Sequence, residues 1–239
     1  MITKILAHRG ASHDMPENTM EAFCLAVEQG VDGFELDVHL TRDGHVVVTH
    51  DETLERVSNG KGNVCDHDLV DLKHLTFSKL HSELPACTLP TLAEVYALVA
   101  DTGHYINVEL KTTKHFYPEL PVKLLRLEQE YAMAGRVIYS SFNHYSLRAI
   151  KQLNPQAETG ILYVENLVDP WVYAKYLAAQ AIHPHFQIIK AHPEIVEFCH
   201  ANKIKVNVWT VDEPSDIDFM LKLGVDSIIT NKPVQVRKE

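Results

Sequence analysis

The feature that most constrains this chain is an alternation. Short apolar runs recur at residues 2–7, 33–38, 106–110, 137–141, 159–163, 181–184, 205–210 and 226–230. Between them lie segments with apolar residues at helical spacing, at 20–27, 91–99, 120–132, 145–153, 170–179, 193–202 and 214–223. Runs this short and apolar read as strands buried on both faces, and strand–helix–strand units require parallel pairing. Eight strands with helices between them favour an α/β fold closed as a (β/α)8 TIM-type barrel over an open sheet. A chain of 239 residues suits a single domain spanning residues 1–239, close to the roughly 250 typical of such barrels.

The alternation is broken after the second strand. Asp43-Gly44 stands between two strand-like runs, the signature of a two-residue hairpin turn, with residues 46–50 as the returning strand. Counting outward from such a turn pairs His39 with Val48 and Asp37 with His50. From residue 51 to about 90 the periodicity is lost, and Gly60, Gly62 and Pro85 punctuate the segment. It is too long for a plain loop in a compact domain and reads as an insertion carrying one or two short helices near 68–80.

In a barrel of this kind the chemistry sits at the C-terminal ends of the strands. His8-Arg9 follows the first strand, Glu35 and Asp37 lie near the end of the second, and Glu109 and Lys111 end the third. Side chains at i and i+2 of a strand share a face, so each pair points one way. Adjacent carboxylates repel unless a proton or cation intervenes. Glu35, Asp37 and Glu109 therefore read as hard oxygen ligands for one divalent cation, Mg²⁺ or Ca²⁺. With a metal, Arg9 and Lys111 supply positive charge for a phosphate, and His8 and His50 are candidates for general acid and base, a set that fits phosphoryl transfer.

Each motif alone has a plainer reading: a solvated carboxylate pair, a structural ion pair between Glu109 and Lys111, a histidine at a hairpin edge. Four such accidents at one end of one fold are less probable than one site. Phe142 and Trp209 read as packing residues, His183, His185 and His192 as structural or surface residues, and Asp66, Asp68 and Asp71 as solvated side chains of the insertion.

The formal net charge of -10 comes without a basic stripe, which argues against a nucleic-acid partner. The four cysteines form no C-x-x-C pair, no apolar stretch reaches membrane-span length, and the first residues carry no signal-peptide pattern, so a cytoplasmic protein without stable membrane insertion is expected. A homo-oligomer is compatible with the sequence.

The motifs together are similar to those of the glycerophosphodiester phosphodiesterase family in its short bacterial cytoplasmic form. The resemblance is carried by His8-Arg-Gly10, Pro16-Glu-Asn-Thr19, Glu35-Leu-Asp37, Asp43-Gly-x-x-Val47, His50-Asp51, Glu109-Leu-Lys111, Ser141-Phe142, Val208-Trp-Thr-Val211 and Gly224-Val-Asp-x-Ile228. It spans nearly the whole chain and is most specific up to His50-Asp51. It implies a barrel with a small insertion and metal-dependent hydrolysis of glycerophosphodiesters to sn-glycerol 3-phosphate and an alcohol. It further implies metal ligation by Glu35, Asp37 and Glu109, acid/base roles for His8 and His50, phosphate contacts from Arg9 and Lys111, and an aromatic wall of Trp209 and Phe142 beside the glycerol. Related enzymes act on lysophospholipids, sometimes stopping at a cyclic phosphate, and that activity is the alternative expectation. Two positions depart from the usual pattern: Asp212 stands where the family usually has Asn, and Asn231 where Asp is common.

Overall fold

The computed structural model describes residues 2–236. Eight parallel strands close into a barrel: β1 (Lys4–His8), β2 (Gly33–Leu40), β4 (Tyr105–Leu110), β5 (Val137–Ser141), β6 (Glu158–Tyr163), β7 (Ala181–Pro184), β8 (Lys205–Val208) and β9 (Ser227–Thr230). Closure is the β1–β9 pairing, in which Lys4 faces Ser227 and Ala7 faces Thr230. The short antiparallel strand β3 (Val46–Val48) lies outside this ring. One edge of β2 is held by β4 along most of its length; the other is shared, with β1 pairing at Gly33–Glu35 and β3 at Val38–Leu40.

The hairpin corrects the sequence expectation by one residue. His39 faces Val47, not Val48, and the amide of Thr49, not that of His50, bonds to the Asp37 carbonyl. The turn has three residues rather than two. Gly44 donates to the Thr41 carbonyl, Thr41 N–H reaches the His45 carbonyl, and Gly44 takes a left-handed φ of +82°. A turn that closes through a left-handed glycine adds one residue to the loop, and each residue beyond it shifts accordingly.

The helices clothe the barrel: α1 (Met20–Glu28), α3 (Leu92–Val99), α4 (Leu120–Glu130), α5 (His144–Leu153), α6 (Pro170–Tyr176), α8 (Glu194–Ala201) and α9 (Pro214–Leu223). Thr19 caps α1 by accepting from Ala22 N–H, and Thr91 and Glu94 form a reciprocal capping box on α3. Two further short helices, α7 (Phe186–Ala191) and α10 (Pro233–Val236), are not apparent in the periodicity. Their runs are too short to show a helical face. The insertion holds α2 (Leu69–Lys73) and two single 3-10 turns, and it packs a small core of its own from Leu54, Val57, Val64, Leu72, Phe77 and Leu89. Val47 of β3 joins that core and ties the insertion to the barrel.

Inside the barrel an apolar layer of Leu6, Tyr105, Ile138, Ala181 and Ile229 is fully or nearly buried. His183 of β7 is also wholly buried, and it occupies the space left by Gly160 of β6: a Cβ there would stand 2.3 Å from the imidazole Nε2. Bulky and small side chains alternate so that the lumen is filled rather than open.

Candidate active site

The C-terminal ends of the strands gather the site. His8 is the last residue of β1, and the chain then turns sharply, with Arg9 at φ +57° and Gly10 at φ +79°. That turn lets Arg9 N–H donate to the Glu35 carbonyl while its guanidinium folds back over β2. Glu35 and Asp37 share the inner face of β2, and Glu109 of β4 stands in register with Asp37. One carboxylate oxygen from each of the three lies within 4.8 Å of the others, the single group of this kind among the described residues. Asp37 is 0% exposed and Glu35 4%.

Three buried carboxylates at this spacing cannot all keep their charge at equal cost. Burial, with Asp37 and Glu109 beside it, pushes the Glu35 carboxyl well above its ordinary range, and burial raises Glu109 against the pull of Lys111. Burial works the same way on Asp37 but loses to Arg9 and Lys111, and this carboxyl is held below the usual range. Arg9 Nε lies 3.4 Å from one Asp37 oxygen, which also accepts from Asn18 Nδ2 at 3.0 Å. The other Asp37 oxygen, Oδ1, has no hydrogen-bond donor, and Lys111 Nζ is 3.7 Å from it. A buried, unbonded carboxylate oxygen amid two further carboxylates suits a divalent cation, and hard oxygen donors suit Mg²⁺ or Ca²⁺.

Both histidines flank this cluster. His8 Nδ1 lies 2.7 Å from Asn231 Oδ1, with Nε2 3.7 Å from a Glu35 oxygen. Burial, and then Arg9, lowers the His8 imidazole to about 4, so its neutral form is favoured. His50 stands just beyond β3, and its backbone carbonyl accepts from Nε2 of His39. The side chain enters the pocket with Nδ1 bonded at 2.6 Å to Asp51 and Nε2 3.1 Å from Lys111 Nζ. His50 thus reaches the site without pairing with Asp37, because it lies past the ladder and is held from β2 by His39.

Groups to which the sequence assigned no role complete the frame. Arg56, from the insertion, donates to both Asp51 and Glu17, and Glu17 accepts from Arg9. A continuous chain of charge therefore runs from His50 through Asp51, Arg56 and Glu17 to Arg9. Asn18 holds Asp37 from a left-handed backbone of φ +58°. Nothing in the aperiodic stretch around Arg56 announces it. Asn18, by contrast, lies in the Pro16-Glu-Asn-Thr19 motif.

The remaining wall is apolar. The Phe142 and Trp209 rings meet edge to face with centroids 5.6 Å apart, and Trp209 Nε1 donates to the His183 carbonyl, which fixes the indole. His8, Arg9, Glu35, His50, Glu109, Lys111, Phe142 and Trp209 all line one cavity, with Asp37 in the carboxylate cluster at its base. A larger concavity in the insertion, lined by Ser58, Lys61, Thr76 and Lys79 among others, contains no such cluster, so chemistry rather than size selects the barrel mouth.

Residues 8–235 match the glycerophosphoryl diester phosphodiesterase family. A glycerophosphodiester phosphodiesterase of Caldanaerobacter subterraneus is 46% identical over 98% of this chain and 96% of its own length. One from Bacillus altitudinis is 39% identical, covering 100% of this chain and 99% of its own. Among solved structures, a phosphodiesterase of Oleispira antarctica in complex with the product sn-glycerol-3-phosphate superposes with a TM-score of 0.90 at 27% identity, over 99% of this chain and 96% of that one. A glycerophosphodiester phosphodiesterase of Parabacteroides distasonis gives 0.85 at 30% identity, over 99% and 95%. The closed parallel barrel and these likenesses define an enzyme, a TIM-barrel phosphoric diester hydrolase. Within that class, the chain belongs to the glycerophosphoryl diester phosphodiesterase family.

Proposed function

We propose that this enzyme hydrolyses glycerophosphodiesters to sn-glycerol 3-phosphate and an alcohol in the cavity at the barrel mouth. The observation that carries the reading is the pair of histidines, His8 and His50, each directing Nε2 into a cavity floored by three buried carboxylates. The product bound to the Oleispira antarctica phosphodiesterase supports the choice of substrate.

Glu35, Asp37 and Glu109 hold the divalent cation, Mg²⁺ or Ca²⁺, which when bound supplies Lewis-acid stabilisation of charge on the phosphate oxygens. Arg9 and Lys111 bring donors to the same phosphate from opposite sides of the cluster, and Trp209 with Phe142 shields the glycerol carbons. One imidazole takes the proton of the attacking hydroxyl at its Nε2. The other, protonated at Nε2, gives its proton to the departing alcohol oxygen as the P–O bond breaks. The attacking hydroxyl is that of water, or the glycerol 2-hydroxyl by way of a cyclic phosphate that water then opens. We place the activity in the cytoplasm, a setting that the four free cysteines support.

The test is a coupled assay for glycerol 3-phosphate on several headgroups, with and without EDTA. Turnover that is abolished by EDTA and restored by Mg²⁺ or Ca²⁺ is expected; turnover indifferent to chelation overturns the metal assignment.

A further inference from the structure

The two histidines are buttressed differently. His50 Nδ1 meets a carboxylate, Asp51, directly. His8 Nδ1 meets an amide, and the carboxylate stands one step behind it. Asn231 follows β9 and Asp212 lies in the loop after β8, so both come from the last two turns of the barrel. Asp212 Oδ1 accepts from the Asn231 backbone N–H at 2.8 Å and from Thr230 Oγ1 at 3.0 Å. Its Oδ2 is 2.7 Å from the Asn231 side-chain nitrogen.

These contacts leave little freedom. A carboxylate can only accept, so the edge of the Asn231 amide that faces Asp212 is the NH₂ edge. The opposite edge is then the carbonyl oxygen, and it is this oxygen that lies 2.7 Å from His8 Nδ1 and 2.9 Å from Ser12 Oγ. A carbonyl oxygen can only accept as well, so the ring proton of His8 is on Nδ1. The bare Nε2 is thereby turned into the cavity.

We infer that Asp212 and Asn231 form a relay that fixes the tautomer and orientation of His8, and that both are positioning residues for the reaction. The inference rests on the acid/base reading of His8 given above. Asp212 does not touch the imidazole; it locks the amide, and the amide locks the ring. Losing the acceptor at 212 frees the amide to turn over, which would put NH₂ against Nδ1 and move the ring proton to Nε2. That form cannot take a proton from a hydroxyl at the cavity side.

The experiment reads the His8 ring nitrogens by ¹⁵N NMR in the metal-free protein and, in parallel, steady-state kinetics in the loaded one. Wild type is expected to show an Nδ1-protonated His8. Asp212→Asn is expected to show a mixture of tautomers and a roughly 10- to 100-fold fall in kcat with KM little changed. The exchanged pair, Asp212→Asn with Asn231→Asp, keeps an NH₂ facing a carboxylate and an acceptor facing Nδ1. It is expected to restore both the tautomer and most of kcat. An Nε2-protonated His8 in the wild type overturns the relay, as does an Asp212→Asn protein with unchanged ring signals and kcat. A fully active His8→Ala protein would instead sink the acid/base reading, and the NMR result tests the relay independently of it.

Discussion

Lys111 Nζ lies 3.1 Å from His50 Nε2 and 2.8 Å from a Glu109 oxygen. An ammonium has only donors, so the ring nitrogen facing it is an acceptor and the His50 proton is on Nδ1, given to Asp51. The nitrogen that faces the cavity is thus occupied by a cation that must let go before His50 can exchange a proton. Removing that cation exposes Nε2 but strips Glu109 and Asp37 of a partner. Lys111→Met is therefore expected to lower kcat by about two orders of magnitude, which steady-state kinetics on the metal-loaded protein would register.

Substituting either histidine by alanine is expected to lower kcat by about 10² to 10⁴, the usual span for losing a positioned proton donor or acceptor. Binding of sn-glycerol 3-phosphate by the same proteins should persist within a few-fold. Full turnover by either variant would remove that residue from the acid/base pair.

The raised carboxyl of Glu35 makes a prediction for the metal-free protein. Its folded value lies above its unfolded one, so the native state binds the extra proton. The associated stability is present below the unfolded value and is lost as pH rises through the folded one. Melts in EDTA are expected to fall with rising pH, and Glu35→Gln is expected to flatten that fall. Adding Mg²⁺ or Ca²⁺ should reverse the order, leaving wild type more stable than the variant. Identical pH slopes for the two metal-free proteins would contradict this.

His183 predicts the opposite slope at acid pH. Burial depresses its imidazole from 6.5 to about 3, so the unfolded state binds the extra proton first. Stability should be complete above the unfolded value and should fall by about 1.4 kcal/mol per pH unit below it, until the folded value is reached. Urea melts at pH 6.5, 5.5 and 4.5 would show this, and His183→Gln should lose that component. Gly160→Ala, which drives a methyl into the same ring, is expected to cost more than about 2 kcal/mol. A smaller residue at 183 in the double variant should return part of it.

Arg56 connects the insertion to the site through bidentate contacts with Glu17 and Asp51. Arg56→Lys cannot reproduce that fork and is expected to behave like Arg56→Ala in kcat, each falling about tenfold. A lysine variant with wild-type kcat would show that charge alone suffices.

The barrel was legible because burial on both faces leaves a trace in sequence, namely runs such as 137–141 and 226–230 bounded by helical periodicity. Glu35, Asp37, Glu109 and Lys111 were legible because the two-residue repeat of a strand fixes which way side chains point. The turn at Gly44 was misread: dipeptide chemistry announces a turn but does not distinguish a two-residue loop from one closed by a left-handed glycine. Arg56, and the contacts that join Asp212, Asn231 and His8, were hidden for another reason. Arg56 meets Glu17 across 39 positions and Asn231 meets His8 across 223, and no local pattern encodes a contact that only the folded barrel creates.

The β1–β9 seam has a consequence for biosynthesis. His8 is separated from its Nδ1 partner by 223 positions and is synthesised well before it. Domains form vectorially during synthesis, and here the strand carrying the first catalytic candidate has one neighbour missing until β9 appears. A nascent chain lacking β9 therefore carries all three clustered carboxylates and both histidines but no closed ring, and His8 lacks its Nδ1 partner. The contact that orients His8 is thus among the last that the barrel can make.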